Sequence, residues 1–157
     1  MALDIALNAV TQADRDALMI RPVKKDPVSK ADPKLVKELQ KIVGPRAVST
    51  DPKALRPYAY DQCWLSLAAA AAGKSLGRPD VAVRPRTVEQ ISAILKLANA
   101  RRVPVTPWGG GSGVQGAGNP DKGGIVIDLR AMNKIRRIDT VSMTATVDAG
   151  IMGDQFE

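Results

Sequence analysis

The sequence predicts an α+β fold in which a helical N-terminal lead-in precedes a small mixed sheet with one crossing helix. Three observations predict it. Apolar residues recur at helical spacing after residue 32, and short apolar runs bounded by Pro and Gly begin at residue 80. A capped helical segment separates the first of these runs from the second. With 157 residues, the chain is long enough to bury a core of its own.

The helical lead-in is predicted from its end signals. Asp32-Pro33 supplies an N-cap with Pro at the first helical position, and Gly44-Pro45 ends the apolar stripe that follows. A second helix is predicted from Asp51-Pro52 through Leu55. The alanine-rich run within residues 58–79 is predicted to be helical or irregular until Gly73 breaks it.

The second half of the chain is predicted as β-α-β-loop-β-β-β. Thr87 and Gln90 form a capping box that opens the helix, which ends near Arg101 and Arg102. Its apolar face is expected to hold Val88, Ile91, Ile94, Leu95 and Ala98. The strands are expected at residues 81–83, 103–106, 124–129, 135–138 and 144–147. Residues 153–157 are typical of the opening turn of another helix.

Composition excludes several classes of site. The sequence has no histidine, so Ser–His and Cys–His catalysis and His-based metal sites are excluded. A single cysteine, Cys63, excludes an internal disulfide and any multi-cysteine cluster, and we expect this thiol to be packed in the core. We therefore predict no metal site and assign no catalytic residue.

Charge and hydropathy indicate a soluble protein. The net charge of +7 is spread along the chain, which argues against a nucleic-acid-binding stripe and fits a solvated face. Alternatively, the charge attracts an anionic substrate or cofactor, or an acidic partner subunit. No apolar run reaches about 18 residues, and the first residues lack the layout of a signal peptide. We expect a cytoplasmic protein without a transmembrane segment, whose first 30 residues form a poorly ordered or partner-docking arm.

A glycine-rich loop is the main candidate site. Six glycines lie within residues 107–118, between two apolar strands that anchor both ends. So many glycines carry a large entropy cost, and they allow successive N–H groups to form a nest that suits a pyrophosphate. The alternative is a flexible surface hairpin. The candidate binding residues are Pro107, Trp108, Gly109, Gly110, Gly111, Ser112, Gly113, Val114, Gln115 and Gly116.

Two familiar phosphate motifs are rejected. Residues 111–116 match G-x-G-x-x-G, but that fingerprint must open a helix, and Ala117-Gly118-Asn119-Pro120 cannot form one. The acidic residue that should follow about 20 positions later is also missing. Residues 68–75 fit a relaxed P-loop pattern, but a run of alanines favours a helix instead. The same residues are explained by a helix that ends at Gly73, with Lys74 at the negative end of the helix dipole.

Taken in order, these motifs resemble the FAD-binding domain of the vanillyl-alcohol oxidase/para-cresol methylhydroxylase superfamily. Within it, the chain looks most like the branch of the glycolate oxidase D subunit and D-lactate dehydrogenase, and like alkyl-dihydroxyacetone-phosphate synthase. The resemblance covers about residues 55–157 and only the N-terminal part of the family domain. The matching segments are residues 79–90, 94–98, 103–113, 123–129, 132–135 and 145–150.

The resemblance implies a flavoenzyme whose glycine loop holds the FAD pyrophosphate through backbone amides, with Gln115 reaching toward the flavin ring. Such enzymes oxidise a D-2-hydroxy acid by hydride transfer to the flavin. Because the chain lacks histidine, no histidine can tether the FAD, which we expect to be non-covalent. Residues 1–54 are predicted as the arm and helical lead-in, and residues 55–157 as a truncated first FAD subdomain.

Several alternatives remain open. The chain is either a fragment of a longer enzyme or a subunit that a second chain completes, with an electron-transfer subunit as a further partner, and it is expected to be inactive alone. A rival chemistry is that of the ether-lipid synthase, a flavin transferase, which Trp64 and Gly73-Lys74 also suit. A third possibility is a non-catalytic scaffold subunit with the FAD fold.

Overall fold

A computed structural model describes residues 30–74 and 76–157, so the predicted arm lies outside the described residues except for Lys30. The described helices are α1 (Pro33–Val43), α2 (Pro52–Leu55), α3 (Trp64–Ala71), α4 (Val88–Arg101) and α5 (Gly153–Phe156). The described strands are β1 (Val48–Ser49), β2 (Val81–Val83), β3 (Val105–Trp108), β4 (Ile125–Asp128), β5 (Ile135–Asp139) and β6 (Thr144–Val147). None of these helices is both long and apolar enough to cross a bilayer. The predicted boundary at residue 54 stays a prediction.

The end signals of the lead-in act as predicted. The Asp32 carboxylate accepts a hydrogen bond from Lys34 N at 2.9 Å, and α1 ends at Gly44. The Asp51 carboxylate likewise accepts from the first amides of α2. These caps satisfy N–H groups that have no partner within a helix, which explains why both helices begin where they do.

The alanine-rich segment forms α3 and ends in a Schellman motif. Lys74 N donates to Ala69 O at 2.7 Å, and Gly73 N donates to Ala70 O at 3.0 Å. Gly73 has φ +66°, a conformation that favours glycine. The predicted interpretation of Gly73 and Lys74 as a helix end is therefore confirmed for the described residues, whereas Ser75 lies outside them.

Four strands form one mixed sheet in the order β1-β2-β4-β3. β1 runs antiparallel to β2, while β2, β4 and β3 are parallel to one another. The predicted mixed sheet is confirmed. β1 was not predicted because two residues, Val48 and Ser49, are too few to show a period of two.

Both faces of this sheet are covered. On one face, α1 and α4 bury Leu35, Leu39, Ile94 and Ala98 against β2 and β4. On the other face, a smaller cluster holds Leu55, Tyr58, Ala82, Trp108 and Val126. The sheet is therefore the central layer between α1 and α4 on one side and the segment around Tyr58 on the other.

Two details of α4 differ from the prediction. The buried stripe is narrower than the predicted apolar face, because Val88 and Leu95 are 66% and 46% exposed. The capping box is only half formed. Thr87 accepts from Gln90 N at 3.3 Å, but the Gln90 side chain accepts from Arg86 N at 2.7 Å and donates to Ile42 O, which ties α4 to α1.

The last two strands form a separate hairpin. β5 and β6 pair antiparallel around the predicted turn after Asp139, with an irregularity between Ile135 and Arg137. Apart from Asp139, their residues are exposed, so the hairpin does not extend the four-stranded sheet. α5 follows where the sequence predicted a helical turn.

The connection from β3 to β4 is unusual. Neighbouring parallel strands are normally joined by a crossover helix, whereas residues 109–124 contain only turns, bends and irregular backbone. β3 starts two residues later than predicted and includes Pro107 and Trp108. The glycine loop consequently begins at the carboxyl end of β3, an edge strand of the sheet.

Candidate functional site

The glycine loop lies at the carboxyl edge of the parallel strands. Because β2, β3 and β4 run in one direction, the residues that follow them, Arg84, Gly109 and Leu129, leave the sheet at the same edge. In open sheets of this kind, ligands bind outside the carboxyl ends of the strands. The fold thus presents the loop where a ligand is expected.

The loop offers a row of unpaired backbone donors. None of the N–H groups of residues 110–118 donates a hydrogen bond to any acceptor in the described part of the chain. Ser112, Gly113, Val114 and Gln115 are exposed to solvent. Successive unpaired amides in a glycine-rich bend form an anion-binding nest, to which the Ser112 hydroxyl adds a further donor. This donor set fits a pyrophosphate.

The indole of Trp108 forms the floor of the loop. Trp108 is only 6% exposed, and a Cβ at Gly111 would lie 2.5 Å from its Cζ2 atom. A Cβ at Gly110 would lie 2.8 Å from the Sδ atom of Met152, which covers the loop from another side. Glycine is required at position 111 because the Trp108 ring leaves no room for a side chain, whereas the flexible end of Met152 could move away from a side chain at position 110.

A buried carboxylate fixes the floor. The rings of Trp108 and Tyr58 pack edge to face with centroids 5.4 Å apart. The Tyr58 hydroxyl donates to Asp128 Oδ2 at 2.8 Å, and Arg84 and Arg130 donate to the same carboxylate at 2.6–2.9 Å. Asp128 therefore links the ends of β2 and β4 to the ring that supports Trp108.

These contacts shift the pKa values of both buried groups. Burial raises the pKa of Asp128, but hydrogen bonds from Arg130, Tyr58 and Arg84 outweigh burial and lower that pKa to about 2. Burial raises the pKa of Tyr58, and so do its hydrogen bond to Asp128 and the negative charge there. Asp128 is therefore an ionised structural acceptor, and Tyr58 a neutral donor, near neutral pH.

Removing the Tyr58 hydroxyl tests this network. We expect Tyr58→Phe to lower the free energy of unfolding by about 1.5–3 kcal/mol, the usual range for a hydrogen bond to a charged group. Tyr60→Phe is the matched control, because the Tyr60 hydroxyl donates at 2.9 Å to an uncharged acceptor, Lys74 O. Urea unfolding at neutral pH measures both. A loss in Tyr60→Phe as large as that in Tyr58→Phe would contradict the charged network.

A second buried carboxylate, Asp61, holds the loop from the other side. Its Oδ1 atom accepts from Cys63 N, Ser66 Oγ and Asn119 Nδ2 at 3.1, 2.7 and 3.3 Å. Gln62 N donates to Gly113 O at 2.9 Å. The segment before α3 is thus bonded to both the middle and the end of the loop, and Cys63 is buried as the packing interpretation predicted.

The predicted site residues fall in two groups. Pro107 and Trp108 close β3, and residues 109–116 form the first part of the connecting loop. No helix follows the loop, which agrees with rejecting the dinucleotide fingerprint. Sequence reasoning missed Tyr58, Asp61, Asn119 and the role of Asp128. Three of the contacts that bring them together, Tyr58–Asp128, Asp61–Asn119 and Ser66–Asn119, join residues 70, 58 and 53 positions apart. An aspartate at the end of an apolar strand was the available signal for Asp128.

Comparison with known proteins identifies the family of the chain. A family model described as the FAD binding domain matches residues 79–157, which include β2, the whole glycine loop and the hairpin. The matched residues carry the unpaired amides and the Ser112 hydroxyl, a donor set that fits the pyrophosphate of this cofactor.

Curated relatives and solved structures agree. The chain is 32% identical to the alkyldihydroxyacetonephosphate synthase of Dictyostelium discoideum over 90% of its own length and 23% of that protein. It is 32% identical to a D-2-hydroxyglutarate dehydrogenase of Stutzerimonas stutzeri over 80% of its length and 25% of that protein. The chain therefore spans about a quarter of these relatives.

A solved alkyldihydroxyacetonephosphate synthase superposes with a TM-score of 0.74 at 31% identity, over 88% of this chain and 26% of that one. A p-cresol methylhydroxylase structure, at 24% identity over 95% of this chain and 25% of that one, shares the fold with a TM-score of 0.59. The family match, the shared fold and the loop that fits a pyrophosphate lead to one conclusion: this chain belongs to the FAD-binding domain family, and its cofactor is FAD.

Proposed function

We propose that this chain is the FAD-binding portion, or an FAD-binding subunit, of a flavin-dependent oxidoreductase that acts on a D-2-hydroxy acid of the glycolate or D-lactate type. The observation that carries the proposal is the row of unpaired amides over residues 110–118 at the carboxyl edge of the sheet. An oxidoreductase of this kind needs FAD held in one place, and this loop supplies fixed donors for its pyrophosphate.

The residues of this chain bind and orient the cofactor. Amides from Gly110 to Gly116 and the Ser112 hydroxyl would hold the pyrophosphate, while Trp108 and Met152 fix the loop behind them. The exposed side chain of Gln115 is available to approach the flavin. No histidine of this chain can tether the flavin and Cys63 is buried, so we propose that the residues of this chain bind FAD non-covalently. When bound, FAD supplies the acceptor for a hydride from the substrate carbon.

The substrate class is proposed from the relatives. The name of one of them specifies a D-2-hydroxyglutarate dehydrogenase, which acts on a D-2-hydroxy acid. We assign no catalytic acid or base to this chain. The remaining polypeptide or a second chain would complete the FAD site and supply those groups, so this chain alone is expected to be inactive, and an electron-transfer subunit would accept the electrons.

Flavin retention and reduction test the proposal. The complete protein that carries this chain should retain FAD through gel filtration, seen as flavin absorbance in the visible range. Anaerobic addition of glycolate or D-lactate should then bleach that absorbance. Failure to retain flavin in the complete assembly would contradict the cofactor role, and retention without bleaching by either acid would contradict the substrate class.

A second candidate is a flavin transferase similar to alkyldihydroxyacetonephosphate synthase. The observation that favours it is that this enzyme matches 90% of the chain in sequence and 88% in structure. Such a reaction involves no net redox change, so neither hydroxy acid would leave the flavin reduced. Formation of alkyldihydroxyacetone phosphate by the complete protein would support it. A stable complex purified without flavin would instead indicate a scaffold subunit.

A further inference from the structure

The two oxygens of the Asp61 carboxylate have very different surroundings. Oδ1 accepts three hydrogen bonds, from Cys63 N, Ser66 Oγ and Asn119 Nδ2. Oδ2 is buried and has no donor within the described part of the chain. The residue as a whole is 1% exposed, so water outside the protein does not reach it. A buried carboxylate oxygen without a donor is costly, and such atoms in native proteins call for an explanation.

The free oxygen lies directly under the glycine loop. A Cβ built at Gly113 would stand 3.7 Å from Asp61 Oδ2, and Gly113 O already accepts from Gln62 N at 2.9 Å. At the end of the loop, Asn119 Oδ1 is likewise buried without a donor among the described residues. The loop above holds the unpaired N–H groups of residues 110–118. Buried acceptors without donors therefore lie next to a short segment whose own N–H groups are unpaired.

We propose that Asp61 is a positioning residue for the glycine loop: when an anionic ligand seats in the loop, a loop N–H donates to Asp61 Oδ2 and fixes the other amides on the anion. This rests on the proposed function, in which that anion is the FAD pyrophosphate. The donor belongs to the loop because Oδ2 is buried beneath it, out of reach of a ligand on the outer face. Oδ1 meanwhile ties the loop to the start of α3 through Asn119 and Ser66.

Because the two oxygens have different partners, their roles can be tested by separate mutations. Asp61→Asn keeps an acceptor for the three Oδ1 bonds and replaces Oδ2 by an NH₂ group, which cannot accept. Ser66→Ala removes one donor to Oδ1 and leaves Oδ2 intact. Asp121→Asn is the charge-matched control, because Asp121 is an exposed aspartate just beyond the loop.

The readouts are ligand affinity and the environment of the Trp108 ring. Trp108 lies beneath Gly111 and Gly118, and its fluorine resonance after incorporation of fluorotryptophan is assigned by its absence from Trp108→Phe, which distinguishes it from every other tryptophan of the complete protein. FAD and inorganic pyrophosphate are titrated separately into the complete protein. We expect Asp61→Asn to raise the Kd of both at least about tenfold and to abolish the ligand-induced shift of the Trp108 resonance. Ser66→Ala should lower the thermal midpoint more than the affinity, and Asp121→Asn should change neither.

The outcomes separate this inference from the function on which it rests. If the parent protein binds pyrophosphate but not FAD, the proposed function fails, while the pyrophosphate arm still tests Asp61. If Asp61→Asn binds both ligands as the parent does, or loses affinity only in step with its thermal midpoint as Ser66→Ala does, the positioning role is wrong. If Asp61→Asn does not fold, Asn119→Ala is used instead, because it removes the hydrogen bond from the loop to the same carboxylate. Unchanged ligand affinity of Asn119→Ala would equally overturn the inference.

Discussion

Gly111→Ala is expected to abolish retention of FAD by the complete protein. Gly111 has φ +69°, where an L side chain costs about 1–2 kcal/mol. Its new Cβ would also stand 2.5 Å from Cζ2 of Trp108, a ring wedged between the loop and Tyr58. The loop must therefore move, and its amides leave the positions that hold the pyrophosphate. The strain alone corresponds to a rise in Kd of about tenfold, and the displacement adds to it.

Gly109→Ala is the matched control for this experiment. A Cβ at Gly109 meets only Ala149 O at 3.6 Å, an ordinary contact, and the residue does not have positive φ. Flavin content after gel filtration and the Kd from flavin fluorescence compare the two variants with the parent protein. Equal flavin retention by Gly111→Ala and the parent would contradict the proposal that the loop amides hold the pyrophosphate. Equal loss in both variants would show that neither the positive φ of Gly111 nor its contact with Trp108 explains the effect.

Asp128→Ala is expected to produce a large loss of stability. It leaves the Tyr58 hydroxyl and two guanidinium groups without their shared acceptor. Breaking a buried pair usually costs about 3–5 kcal/mol. The side chains of Arg84 and Arg130 are 51% and 42% exposed and can turn to solvent, so about 2–3 kcal/mol is expected here. Urea unfolding of Asp128→Ala measures this loss.

The pH dependence of Asp128 follows from its lowered pKa. A carboxylate whose pKa is lower in the folded protein than in the unfolded chain stabilises the fold above the unfolded value, near 4. That contribution, about 2 kcal/mol, is lost as the pH falls through the folded pKa of about 2. The stability advantage of the parent over Asp128→Asn should therefore shrink between pH 4 and pH 2. A gap that stays constant from pH 6 to pH 2 would show that the charge of Asp128 contributes nothing.

Local patterns predicted most of the elements but not the contacts that support the loop. The caps at Asp32 and Asp51 and the apolar run of β4 act within a few residues, so the sequence displays them directly. The glycines of the loop were also visible, because their cost demands a function. Tyr58 and Asp61 show nothing unusual in their neighbourhoods, since their partners lie 70 and 58 residues away.

On α4, the helical periodicity of apolar residues predicts more buried residues than the structure contains. Val88 and Leu95 fit the helical period of the core face, yet both are largely exposed. Periodicity identifies the residues that are suited to burial, whereas the breadth of the covering surface decides which are buried. In this chain, α1 and the sheet cover only the stripe through Ile94 and Ala98.

The strand order has a consequence for synthesis on the ribosome. β4 lies between β2 and β3, yet it leaves the ribosome after both of them. Until residue 128 emerges, β2 and β3 have no strand between them, and each exposes an unpaired edge that favours aggregation. At a translation rate of about 5–20 residues per second, β4 is complete roughly one to four seconds after β3. The length of the connection that forms the candidate cofactor site therefore also sets the minimum time for which the edge of β3 stays unpaired during synthesis.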